Sequence, residues 1–222
     1  MIPDSPLPSE YGFDTYGAYN CAGEQMPVHE DARHACAFIE KSHREGKPFF
    51  INLWIHEPHT PFHTVPKYRW RFRDLAERDN IYASVLSHAD DRIGEVLDTL
   101  DRLQLTENTL VIFSSDNGPA RAARPTELTL MHDTATGAGY GIGAARGITG
   151  GRKGYKAALF EGGICVPFIA RWPGKIAAGK VDNTSLISAV DLLPTFCEIA
   201  GVKFPAGYRP DGVSQVAVLK GE

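Results

Sequence analysis

Residues 108–118 read NTLVIFSSDNG. Leu110–Phe113 is a short, unalternating apolar run entered from the polar turn Thr106-Glu107-Asn108, which predicts a strand buried on both faces. Asp116-Asn117-Gly118 then falls at the strand's carboxyl end, where open α/β sheets place their ligand crevices. Upstream, from about Asn80 to Leu103, the residues Tyr82, Val85, Leu86, Ala89, Ile93, Val96, Leu97 and Leu100 recur at three- and four-residue steps. They predict a long helix with one apolar stripe. Further upstream, Phe49–Ile55 (FINLWI after the first Phe) predicts a second buried strand, and Asp31 reads as the N-cap of a helix burying Ala32, Ala35, Cys36 and Ile39 that stops at Gly46. Downstream, Ile164–Arg171 predicts a third strand, closed by Trp172-Pro173-Gly174. A last helix begins near Asp191, holds Pro194 in its first turn and ends at Gly201. Helices alternating with buried strands predict an α/β fold with a parallel sheet.

The whole chain fits that class. Its 222 residues carry 23 Lys+Arg against 27 Asp+Glu, a formal charge of −4, with 43% hydrophobic and 23% charged residues. Such a composition excludes a disordered chain and argues against a phosphate-backbone binder, so no nucleic-acid partner is expected. No apolar run approaches the roughly 18 residues of a membrane span. The four cysteines, Cys21, Cys36, Cys165 and Cys197, show neither zinc spacing nor a disulfide framework. Residues 1–30 read as an irregular lead-in, and the low-complexity segment 134–151 as a mobile, Gly-rich loop.

Three constellations could carry chemistry. Asp116 and Asn117 offer the hard oxygens that Ca²⁺ or Mg²⁺ prefers, although Asp-Asn-Gly is also ordinary turn chemistry. The segment His56-Glu57-Pro58-His59-Thr60-Pro61-Phe62-His63 invites a zinc reading. Pro58 and Pro61 forbid the helix that would align His59 with His63, so one histidine acting as proton donor or anion ligand is more economical. A solvated loop histidine is the competing reading. Lys156, in GYKAALFEGG (154–163), could hold an oxyanion or simply face water. Residues 137–143 lack the strand and spacing of a dinucleotide loop, 150–156 lacks Gly-Lys-Ser/Thr, and Ser114-Ser115 lacks the G-x-S-x-G frame.

Taken in order, PFFINLWIHEPHTPF (48–62), YASVLSHADDRIG (82–94), NTLVIFSSDNG (108–118), GYKAALFEGG (154–163), VPFIARWPG (166–174) and DLLPTFCEIAG (191–201) resemble the sulfatase family of the alkaline-phosphatase-like superfamily. The resemblance implies an α/β/α sandwich with a mostly parallel sheet, incomplete at both ends: a single partial domain over 1–222 with its α/β core at 31–212. It implies that Asp116 and Asn117 are calcium ligands, with Mg²⁺ second. It also implies that His59 contacts the sulfate and assists the leaving alcohol, and that Lys156 binds the sulfate oxygens. The substrate implied is a small-molecule or glycan sulfate ester, and the compartment periplasmic or secreted.

The family's nucleophile is a formylglycine made from a C/S-x-P-x-R motif, which these residues lack. Cys165-Val166-Pro167-Phe168-Ile169 matches its first three positions but has Ile169 where Arg is required, so Cys165 reads as a packed thiol. The family's N-terminal Asp-Asp pair and Gly-Lys-x-His segment also have no counterpart. The chain reads as the middle of a sulfatase, with little or no turnover expected from these residues alone. Two alternatives share the motifs: a phosphodiester or phosphonate hydrolase of the same superfamily, and a non-catalytic binder of sulfated glycans. Neither the oligomeric state nor the particular substrate is legible, because substrate choice rests on loops such as 63–80 and 119–151.

Overall fold

The computed structural model describes residues 6–17, 29–121, 128–133 and 136–222. In chain order the elements are α1 (Asp31–Arg44), α2 (Pro66–Arg71), α3 (Glu77–Arg102), β1 (Val111–Ser114), β2 (Leu130–Asp133), β3 (Gly137–Tyr140), α4 (Glu161–Ile164), β4 (Phe168–Arg171), α5 (Ala189–Ala200) and α6 (Val216–Lys220). They form two compact units, one of residues 1–103 and 116–166, the other of 104–115 and 167–222.

In the first unit α1 packs on α3, and α3 on α2. The core is Phe62, Ile81, Val85 and Ala144, with Tyr82, Tyr140 and Ala145 against it. The buried face of α3 is rotated from the expected stripe. Ile81, Ser84, Val85, Ala89, Arg92, Thr99 and Leu100 are buried, whereas Leu86 is exposed. Polar residues enter this face with partners there. Ser84 Oγ donates to the Asn80 carbonyl at 2.5 Å, Thr99 Oγ1 to that of Glu95 at 2.9 Å, and Arg92 pairs with Asp31. Asp31 is therefore not the N-cap of α1, a position held by Glu30. It is a buried first-turn residue whose Oδ1 also accepts from the Ala32 amide at 2.8 Å. Cys36 lies half-buried, its thiol donating to the Glu95 carbonyl at 3.6 Å, and the helix ends where Gly46 takes φ +63°.

The Gly-rich stretch 137–144 is ordered, contrary to the loop expected of it. β3 pairs antiparallel with β2 from Asp133↔Gly137 to Leu130↔Tyr140, and a 3₁₀ turn follows at Ile142–Ala144. The glycines serve close packing: a side chain on Gly139 would run into Pro61 and Phe62. Residues 134 and 135 of that expectation lie outside the described residues, as does Cys21.

Phe49–Ile55 forms no strand. The run has no regular secondary structure and alternates in exposure, with Phe50 and Trp54 exposed, and no backbone pairing with it is shown among the described residues. An extended run becomes a strand only when a second backbone takes up its hydrogen bonds.

In the second unit β1 and β4 pair antiparallel, Val111↔Arg171 to Ser114↔Phe168, so both strand pairs of the described residues are antiparallel and the described strands include no parallel pair. β4 starts four residues later than expected because Glu161–Ile164 closes a helical turn. Cys165, at the end of that turn, is exposed and not packed. α5 begins at Ala189 with the Ser188/Asp191 capping box, which places Pro194 beyond the first turn. Pro194 leaves the Val190 carbonyl without a helical donor, and Gly212 lies against that carbonyl in a space no side chain would fit.

Candidate functional site

The expected site residues Asp116, Asn117, Lys156 and His59 all belong to the first unit. Two backbone loops clamp the first three together. The Gly118 amide donates to the Gly163 carbonyl at 2.8 Å, the Lys156 amide to the Pro119 carbonyl at 3.0 Å, and the Gly162 amide to the Lys153 carbonyl at 2.7 Å. Such close approach demands glycine. A Cβ on Gly118 would strike the Gly162 carbonyl, one on Gly162 the Gly154 carbonyl, and one on Gly163 the Ala158 carbonyl. Glycines 118, 162 and 163 therefore bring the Asp116-Asn117 turn against the Lys156 loop.

Asp116 is exposed and Lys156 half-buried. Asn117 Nδ2 donates to the Gly118 carbonyl at 2.9 Å, which makes the amide oxygen the acceptor end of the group. Beside Lys156, Ala157 is held at φ +71°, a left-handed conformation that costs a non-glycine residue roughly 1–2 kcal/mol.

His59 stands on the 56–63 loop. That loop is anchored where Phe62 exchanges backbone hydrogen bonds with Tyr140, at 2.8 and 3.1 Å, and buries its ring edge-on to Tyr82 at 5.8 Å. Tyr82 also reaches the clamp. A Cβ on Gly147 would lie 2.5 Å from Pro119 and 3.3 Å from the Tyr82 hydroxyl. One tyrosine of α3 thus borders the packing of both loops. His59 itself is exposed, its Nδ1 2.6 Å from the Thr60 carbonyl. Since a carbonyl only accepts, Nδ1 carries the proton in this contact, which leaves Nε2 as the nitrogen for another partner.

A second group of titratable residues lies on the inner side of the same loop. Glu57, with only 1% of its side chain exposed, has Oε1 at 3.0 Å from His29 Nε2 and 3.9 Å from His88 Nδ1. Burial pushes Glu57 up, but His29, through its ring nitrogen and charge, and His88 hold it below the usual carboxylate range. Burial lowers His88, and also His56 and His63. Sequence reasoning weighed His56, His59 and His63 as a group but missed Glu57 with His29 and His88. The three lie at separations of 28 and 31 residues, and no spacing rule joins them.

Trp54 and Trp70 are exposed, whereas Tyr68 is buried and donates its hydroxyl to Asp91 at 2.7 Å. Burial, then that bond, pushes the phenol up to about 12.

The sulfatase family model matches residues 7–202, and the chain belongs to the sulfatase family. It is 33% identical over 193 residues to arylsulfatase G of Mus musculus, an alignment covering 86% of this chain and 33% of that protein. To N-acetylgalactosamine-6-sulfatase of Mus musculus it is 32% identical, covering 86% and 32%. Among solved structures, Ps i-CgsB in complex with k-i-k-neocarrahexaose superposes with a TM-score of 0.69 at 26% identity, covering 90% of this chain and 40% of that one. The PsFucS1 sulfatase from Pseudoalteromonas sp. gives 0.64 at 29%, covering 86% and 34%. The chain thus spans about a third of the length of the curated relatives it matches, and its fold is the alkaline-phosphatase-like fold of these sulfatases.

Proposed function

We propose that these residues form the sulfate-gripping part of a sulfate ester hydrolase acting on a sulfated saccharide. The observation that supports this reading is the glycine clamp, which holds the backbone of the loop bearing Asp116 and Asn117 against that of the loop bearing Lys156. Asp116 and Asn117 would supply two of the six to eight oxygens that a calcium ion takes, and the bound ion would lend positive charge beside the sulfate. Lys156 neutralises a sulfate oxygen as charge builds towards the transition state. His59, protonated at Nε2 as well, donates that proton to the bridging oxygen as the alcohol leaves. Trp54 and Trp70, both more than two-thirds exposed, offer faces for a sugar ring.

The saccharide class is supported by the relatives: one is an N-acetylgalactosamine-6-sulfatase, and one structure holds a neocarrahexaose. In the whole protein we also infer that the run 49–55 and β1 join a mostly parallel sheet. The alternating exposure of 49–55 supports this, because it leaves Phe50 and Trp54 on one face.

The test is a side-by-side assay of the longest reading frame containing these residues on an aryl sulfate and on an aryl phosphate diester. Sulfate turnover that falls by about 10²–10³ on Lys156→Ala is expected. Preference for the diester would replace the substrate class, and sulfated-glycan affinity without turnover would make the chain a binder. Steady sulfate release by the 222 residues alone would contradict the need for a nucleophile outside them.

A further inference from the structure

Glu57 is a buried carboxylate whose Oε1 meets His29 Nε2 at 3.0 Å while its Oε2 has no hydrogen bond among the described residues. His88 Nδ1, 3.9 Å from the same Oε1, is buried and also without a hydrogen bond among the described residues. Two buried polar atoms left in this condition, Glu57 Oε2 and His88 Nδ1, cost several kcal/mol unless something else satisfies them. One ligand atom from each residue lies within 4.8 Å of the other two.

We propose that His29, Glu57 and His88 form a transition-metal site of the zinc class, separate from the oxygen donors Asp116 and Asn117. At Zn–N and Zn–O distances of about 2.0–2.2 Å, tetrahedral ligand atoms stand roughly 3.3–3.5 Å apart. The observed 3.0 and 3.9 Å to Glu57 bracket that value, and the two imidazole nitrogens, within 4.8 Å of each other, would draw together as an ion enters. Two imidazoles with one carboxylate favour zinc and its neighbours over calcium or magnesium, which take oxygen. Three protein ligands also leave a fourth position open.

The scaffold is rigid on two sides. His88 sits one turn before Arg92 on α3, and His29 two residues before Asp31 at the start of α1. The buried Asp31–Arg92 pair fixes those two helices to each other. His29 is itself held at φ +77°, a conformation that turns the chain into α1. On the third side, Glu57 lies on the loop that carries His59, two residues away. An ion here would staple that loop to both helices, and the site would govern the order of the His59 loop without touching substrate.

The experiment is titration of the metal-free 222-residue chain with Co²⁺, followed by its visible absorption, and competition with Zn²⁺. The expected result is one saturable equivalent with an intense d–d band, displaced by Zn²⁺, and a melting temperature raised by Zn²⁺ and restored by chelator. Glu57→Gln and His29→Ala should each weaken binding by at least about tenfold, the lower edge of what even outer-shell changes cost. His29 is on the rim of the cluster, so its variant tests the site if Glu57→Gln fails to fold. Calcium added in tenfold excess should not compete. Absence of saturable binding, or binding unchanged in a folded His29→Ala chain, would overturn the proposal and leave the cluster a carboxylate–imidazole ion pair.

Discussion

The Lys156 amide donates to the Pro119 carbonyl at 3.0 Å, two residues beyond Asn117. The lysine and the oxygen donors therefore cannot move independently, and the glycines that permit this contact are the point at which to break it. Gly118→Ala drives a methyl group into the Gly162 carbonyl, a backbone atom that no rotamer can relieve. Overpacking of this kind costs about 1–3 kcal/mol. Urea melts should show that loss, and the whole enzyme should lose turnover with it; wild-type stability in the variant would mean the clamp is looser than described.

Asp31 and Arg92 form a buried pair, with 1% and 3% of their side chains exposed. Breaking one partner strands a charge, which costs about 3–5 kcal/mol, while replacing both by apolar residues of similar volume is far less harmful. Arg92→Met alone should sharply lower the urea midpoint, and Asp31→Leu/Arg92→Met should recover most of it. Additive losses in the double variant would deny that the pair acts as a unit.

Ala157 is held left-handed beside Lys156. Ala157→Gly removes a steric cost of roughly 1–2 kcal/mol against an entropic one of about 0.5–1 kcal/mol. A small gain of about 0.5–1 kcal/mol in thermal melts is expected, where a helix-interior Ala→Gly change would destabilise. A clear loss would show that Ala157 is not strained.

Much of this was legible in the sequence, and the parts that were not share a cause. α1, α3 and α5 announce themselves because a helix satisfies its own backbone within one stretch of chain. The run 49–55 read as a strand on composition, yet pairing depends on a neighbour that local pattern does not specify. The Gly-rich segment read as loose because glycine lowers propensity, whereas Gly139 is there to let Pro61 and Phe62 approach. Asp116, Asn117 and Lys156 were singled out through motif order, and the clamp explains why their loops lie together. The His29–Glu57–His88 group was invisible because only the tertiary packing of α1, α3 and the 56–63 loop brings it together.

Asp191 lies below the ordinary carboxylate range, chiefly because its oxygens accept from the Ser188 amide at 2.8 Å and the Val213 amide at 2.9 Å. A lowered folded value means that its contribution to stability is present above the unfolded value of about 3.9 and is lost as pH falls through the folded one. Wild-type melting temperature should drop in that acid window, and Asp191→Asn should flatten this part of the profile while lowering stability at pH 7. An unchanged acid slope in the variant would place the dependence on other carboxylates.

His59 as proton donor predicts a dependence on the leaving group. His59→Ala in the whole enzyme should slow alkyl sulfates far more than nitroaryl sulfates, whose phenolates depart without help. Equal losses on both would make His59 an anion ligand and not an acid.

The most direct measurement is kcat/KM on an aryl sulfate for Asp116→Ala, Lys156→Ala and the double variant of the longest reading frame. Losses of about 10²–10³ for each single change, with a double variant less impaired than the product of the two, are what one clamped sulfate-gripping site predicts. Turnover within a few-fold of wild type in either single variant, with the fold intact, would contradict it.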